Sequence, residues 1–131
     1  MTMSNTSEAQ NLKEKDVPDQ VRASFQKQFP DAVNVTWEKE KGDFEANWGG
    51  KSGEDHSALF NPAGQFIELV DAIPVGQLPS VIVQYVHEHY KGASIREAGI
   101  LTDAHGSHMF EAEIKVKDLI FDAEGRFLKE D

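Results

Sequence analysis

The sequence predicts an α+β fold in which one helix and a four-stranded antiparallel meander occur in tandem. Three observations point to it. FNPAGQF at 60–66 returns as FDAEGRF at 121–127, with Phe60, Gly64 and Phe66 matched 61 positions later by Phe121, Gly125 and Phe127. The apolar stripe Val17, Val21, Phe25, Phe29 returns at the same offset as Leu78, Ile82, Val86, Tyr90, and Pro18 returns as Pro79. Between stripe and motif, each half alternates apolar with polar residues. One offset shared by helix and turn marks an internal repeat, with units 17–73 and 78–131.

Residues 1–16 are polar and are expected to form a disordered tail, with order beginning at Val17. An apolar residue every four positions from Val17 makes one face of a helix. Pro18 suits the first turn, where a missing N–H costs nothing, and Pro30 stops the helix. Gly92 ends the second helix. Val33, Val35 and Trp37, then Phe44, Ala46 and Trp48, follow a period of two and predict strands with one buried and one wet face. Phe110, Ala112, Ile114 and Val116 do the same in the second half. Turns fall at Gly42-Asp43, at 49–53 and at 62–64. The second half gains five residues in its first hairpin, around Thr102 to Ser107, and loses five before Phe121. Its inward parity changes from even through Val116 to odd at Leu119, so a bulge or tight turn is expected near Lys117-Asp118. The repeated Phe-turn-Phe stretches then close the last hairpin of each unit. Their glycines supply the positive φ the turn needs.

With 131 residues the chain can bury one sizeable core. A formal charge of −10, with 13 basic residues scattered among 23 acidic ones, argues against nucleic acid. No apolar run reaches the roughly 18–20 residues that span a bilayer, so membrane insertion is not expected. The absence of cysteine removes disulfides, thiolate catalysis and cysteine-ligated zinc. The opening MTMSNTSEAQNLKEKD lacks the basic-then-apolar order of a signal peptide. No cofactor motif is present.

Val17-Pro18, Val21, Phe25, Phe29-Pro30, Ala32, Val35 and Trp37-Glu38, with Phe44-Glu45-Ala46 and the closing F-x-x-x-G turn, resemble the PepSY-like proteins, also described as beta-lactamase-inhibitor-like. The likeness covers residues 17–131 and is stronger in the first half. It implies two helices on one face of a continuous antiparallel sheet whose other face is open. It also implies a periplasmic or secreted bacterial protein. It brings no catalytic or binding residues with it.

Candidate chemistry is sparse. Glu45 and Asn47, and Glu111, Glu113 and Lys115, share the wet face of their strands. That face is the expected contact surface for a protein or peptide partner, in a module that is not an enzyme. Inhibition of a secreted enzyme is one form such action takes. The alternative is a small-ligand or metal-responsive domain using the 102–108 loop, where Asp103, His105 and His108 are ligand types in an enlarged hairpin. His87 and His89 lie two apart on a helix and so point apart. Ser57, His56 and Asp55 are adjacent in sequence, which is not triad geometry. Trp37 and Trp48 fit the inward parity of their strands and are expected in the core.

Overall fold

A computed structural model describes residues 10–115 and 117–131. The chain divides into two compact units, parting between Val70 and Asp71.

The first unit holds β1 (Gln10–Leu12), a 3-10 turn (Glu14–Asp16), α1 (Asp19–Gln28), β2 (Thr36–Glu40), β3 (Asp43–Trp48), β4 (His56–Phe60) and the start of β5 (Phe66–Ile73). Its strands lie side by side in chain order. Order starts earlier than the polar composition suggests. Asn11 pairs with Glu38 and Leu12 with Trp37, so β1 adds a strand to β2. Backbone pairing needs no apolar pattern, and Leu12 is the one large apolar side chain this strand packs on the core. Residues 1–9 of the expected tail lie outside the described residues. Val33 also departs from expectation. It is 69% exposed and precedes β2, because the chain leaves α1 through Asn34 in a left-handed conformation (φ 55°) before extending.

Pro18 caps α1, and Val21 and Phe25 bury its inner face. They pack with Val17 on Trp37, Phe44, Ala46, Ala58 and Phe60. Phe25 is the hub. Its ring meets Trp37 at 5.3 Å, Trp48 at 5.2 Å and Phe60 at 6.2 Å, all edge-to-face. Such pairs add about 0.5–1.5 kcal/mol each beyond burial. Ala46 and Ala58 sit opposite each other in the sheet, which gives the rings room.

The second unit holds a 3-10 turn (Val75–Gln77), α2 (Ser80–His89), β6 (Glu97–Asp103), β7 (His108–Ile114), β8 (Lys117–Phe121) and β9 (Phe127–Glu130), with β6 to β9 in chain order. Leu78, Ile82 and Val86 pack on Ala98, Ala112, Ile114, Leu119 and Phe121. Ile114 pairs with Lys117, so the hairpin reverses just before the expected position, and that reversal changes the inward parity to odd. Val116 lies outside the described residues.

The repeated motif has a defined geometry. Asn61 Oδ1 accepts hydrogen bonds from the backbone N–H of Ala63 and Gln65, and the N–H of Gly64 donates to Asn61 O. Asp122 does the same with Glu124, Arg126 and Gly125. Gly64 and Gly125 have φ of 87° and 86°. Each glycine also lies against its helix. A Cβ on Gly64 would stand 2.6 Å from Gln20 O, and one on Gly125 would stand 2.4 Å from Val81 Cγ1. The motif therefore closes a hairpin and seats it on the helix at once.

Candidate functional site

Residues of β3 and β7 alternate between the helix side and the opposite face. In the first unit that opposite face carries Glu38 across from Glu45, Asn47 across from Thr36 and Ser57, and Leu59 across from Glu45. In the second, Glu113 lies between Glu97 and Asp118, and Glu111 between Gly99 and Ile120. The sequence predicts a solvated face here, and the structure corrects that. Glu45, Asn47, Glu111 and Glu113 are 5%, 1%, 3% and 5% exposed. Of the expected contact residues, Lys115 alone is exposed.

Burial has electrostatic consequences. A carboxylate taken out of water prefers its neutral form. Burial, then the charges of Glu40 and Glu38, push the Glu45 carboxyl up to about 8. The protonated form of Glu45 is thereby favoured over the charged one. Burial and the charge of Glu54 also raise Glu38, and a hydrogen bond with Glu45 offsets part of that rise. Ser57 Oγ donates to Asn47 Oδ1 at 2.6 Å. A side-chain interaction with Asn47 offsets part of the rise at Glu45, whose Oε1 is buried. In the second unit, burial and the neighbouring Glu97 raise Glu113, against the opposing charge of Arg96. The additional members of this face, Glu38, Ser57, Glu97 and Asp118, were readable in principle. Each has the parity opposite to an inward neighbour on the same strand, such as Trp37 beside Glu38.

The 102–108 loop has a different explanation. Asp103 Oδ1 accepts from the N–H of His105 and of Ser107, both at 2.9 Å, and the N–H of Gly106 donates to Asp103 O. This is the turn of 61–65 and 122–126 a third time. Those backbone donors, Ser107 first, lower the Asp103 carboxyl. His108 Nδ1 lies 3.0 Å from Thr102 Oγ1. Among the described residues no group of three or more His, Asp and Glu is placed to hold a metal ion. Asp103 acts as a turn residue, and the sequence signal was available: DAHGS and DAEGR share Asp, Ala and Gly at the same places.

Most of the remaining candidates are taken up in packing contacts. His89 stacks on Tyr85 at 3.9 Å and bonds through Nδ1 to Tyr85 O, while His87 is exposed. His56 lies against Trp48 at 5.4 Å, on the face opposite Ser57. Trp37 is buried in the core, and Trp48 is partly buried beside it. No helix among the described residues is long and apolar enough to cross a membrane.

Solved structures share this fold. A protein of Bacteroides eggerthii described as periplasmic aligns with a TM-score of 0.68 at 14% identity, covering 88% of each chain. A DUF2874 family protein of Bacteroides ovatus aligns at 0.66 and 18%, covering 87% of this chain and 86% of its own. A BLIP-like protein of Bacteroides fragilis aligns at 0.60 and 18%, covering 87% and 85%. The chain thus has a BLIP-like fold, which agrees with the beta-lactamase-inhibitor-like side of the resemblance. At these identities the likeness concerns fold alone. No family profile matches the chain, and no curated protein matches it.

Proposed function

We propose that the chain is a non-enzymatic interaction module of the bacterial periplasm, of PepSY-like ancestry and built by duplication of a helix-plus-meander unit. It engages a protein or peptide partner through the helix-free sheet face. One observation carries this reading: that face keeps buried carboxylates where apolar side chains would cost less. Replacing buried ionisable groups by well-packed apolar ones is often neutral or stabilising, so a fold selected for stability alone has no need of Glu45, Glu111 and Glu113. The periplasmic descriptions and BLIP-like name of the structural neighbours support the compartment and the mode of action. Because Glu45 and Asn47 in the first unit and Glu111 and Glu113 in the second are buried, first contact in the second unit falls to the exposed Lys115. Inhibition of a secreted enzyme is the narrower form of the same reading.

The test is affinity capture from periplasmic extract of the native bacterium, with wild type beside Glu111→Gln/Glu113→Gln and Lys115→Glu variants. A partner bound by wild type and lost in the variants, at matched melting temperature, supports the reading. Capture equal in all forms overturns the assigned face.

A further inference from the structure

The chain scatters 13 basic residues among 23 acidic ones, so a place where cations gather without carboxylates is unusual in it. One such place lies in the second unit, between the connection from α2 to β6 and the turn from β7 to β8. A groove of about 560 Å³ is lined there by Lys91, Gly92, Ala93, Ser94, Arg96 and Lys115, with no carboxylate among them. Lys91, Ser94, Arg96 and Lys115 are exposed. Arg96 ties the two walls together. Its backbone N–H donates to Glu113 O at 2.7 Å, and its Nη1 donates to Lys115 O at 3.4 Å. Its charge is partly offset by the buried Glu113, which also feels Glu97. Two lysines add to it across the groove.

The internal repeat shows that the fold does not require these cations. At the offset relating the two helices, Lys91, Ser94 and Arg96 correspond to Pro30, Val33 and Val35. In the strand where Phe110 matches Phe44, Lys115 matches Gly49. A first-unit groove that includes Ala32, Asn34 and Val35 also holds the carboxylates Glu14 and Asp19, and its cation, Arg22, is bonded to Asp19.

We infer that the second-unit groove binds an acidic segment of the partner, with consecutive glutamate or aspartate side chains set against Lys91, Arg96 and Lys115. The inference rests on the interaction-module reading and deepens it, because Lys115 is the exposed contact residue there. Charge complementarity names the occupant. The volume lies in the range of roughly 300–1,000 Å³ typical of ligand pockets, more than one inorganic anion fills. Single exposed ion pairs are weak, so several linked carboxylates suit three cations better than one does. The carboxyl groups of Glu97 and Glu113 beside Arg96 also repel a doubly charged phosphate more than singly charged side chains.

The test titrates acetyl-Glu-Glu-Glu-Glu-amide into the full chain, with the corresponding glutamine peptide and inorganic phosphate as controls, followed by amide chemical shifts. The expected result is saturable shifts at Gly92, Ser94 and Lys115 with the glutamate peptide, weakening as salt rises, and none with the glutamine peptide. Lys91→Glu and Lys115→Glu should each weaken binding by roughly threefold or more. Lys27→Glu, an equal change of net charge on α1, should leave it unchanged. If either reversal fails to fold, the glutamine substitution at the same position should act in the same direction. Absence of saturable shifts, an equal response to the glutamine peptide or equal weakening by Lys27→Glu overturns the groove. Phosphate binding at least as tightly as the glutamate peptide overturns the carboxylate occupant. The Glu111→Gln/Glu113→Gln capture experiment leaves all three cations in place, so its failure strikes the sheet face, whereas a silent titration strikes the groove.

Discussion

The first unit centres its helix packing on rings, and the second mainly on aliphatic side chains. Phe25 faces Trp37, Trp48 and Phe60, whereas Ile82 and Val86 share a cluster with Ala98, Ala112, Ile114 and Leu119 in which Phe121 is the one buried ring. The aromatic surplus of the second unit sits outside this layer, in Tyr85 stacked between His89 and Phe127. The opposite faces differ as well. Asn47 and Ser57 form a neutral hydrogen-bonded pair, while Glu113 and Asp118 put two carboxyl groups at the matching register. One backbone plan thus tolerates different cores and different polar faces, provided the turn against the helix is kept. The turn holds the architecture, and the faces are free to diverge.

The largest effect expected from breaking this contrast is in the aromatic core. Phe25→Ala should lower unfolding free energy by about 3–5 kcal/mol, and Ile82→Ala by about 2–5 kcal/mol. Urea denaturation measures both, and a smaller loss at Phe25 than at Ile82 would contradict the hub role.

Next come the glycines. Gly64→Ala and Gly125→Ala each force a side chain into left-handed backbone, at about 1–3 kcal/mol. The obstacle at Gly64 is a backbone carbonyl, while at Gly125 it is the end of a valine. Gly64→Ala should therefore cost more, and adding Val81→Ala should rescue only Gly125→Ala. Thermal melts of the four variants decide this.

The polar faces separate by pH. The folded carboxyl of Glu45 sits near 8, above its unfolded value. The folded state therefore binds more protons between the two values, and the stability Glu45 contributes is present at low pH and lost as pH rises toward 8. The slope approaches about 1.4 kcal/mol per pH unit at most. Glu45→Gln should flatten the curve and stabilise the protein at pH 8; an unchanged slope would mean the proton resides elsewhere.

The smallest effect lies in the turns. Asp122 is lowered first by the Arg126 N–H, so its contribution is present above the unfolded carboxyl range and lost as pH falls through the lowered value. Asn61, in the same turn geometry, should show no such acid loss. Asp122→Asn should remove the difference in an acid titration followed by circular dichroism.

Helices and closing hairpins were legible because spacing carries them. Val21, Phe25, Ile82 and Val86 declare a buried stripe, and Phe60-Gly64-Phe66 declares a turn between two anchors. Burial of the second sheet face was not legible. Alternation tells that Glu45 and Glu111 share a side with other polar residues, but it does not tell whether water reaches that side. β1 was missed because strand addition is a backbone event that leaves little trace in side-chain hydropathy. At Asp103 the Asp-x-x-Gly spacing states a turn, and the neighbouring histidines, though ligand types, are not gathered with it into a metal-holding group among the described residues.

The threefold use of that turn has a kinetic corollary. Each copy joins strands that are neighbours in both chain and space, so the residues to be brought together are separated by only a handful of positions. Loop closure over such distances takes tens of nanoseconds and hairpin formation microseconds. Sheet proteins are usually slow because their partners are far apart in sequence. Here the helix crossing between β1 and β2 is one of the few long closures within a unit, and β1 should be the last strand of the first unit to lock during refolding.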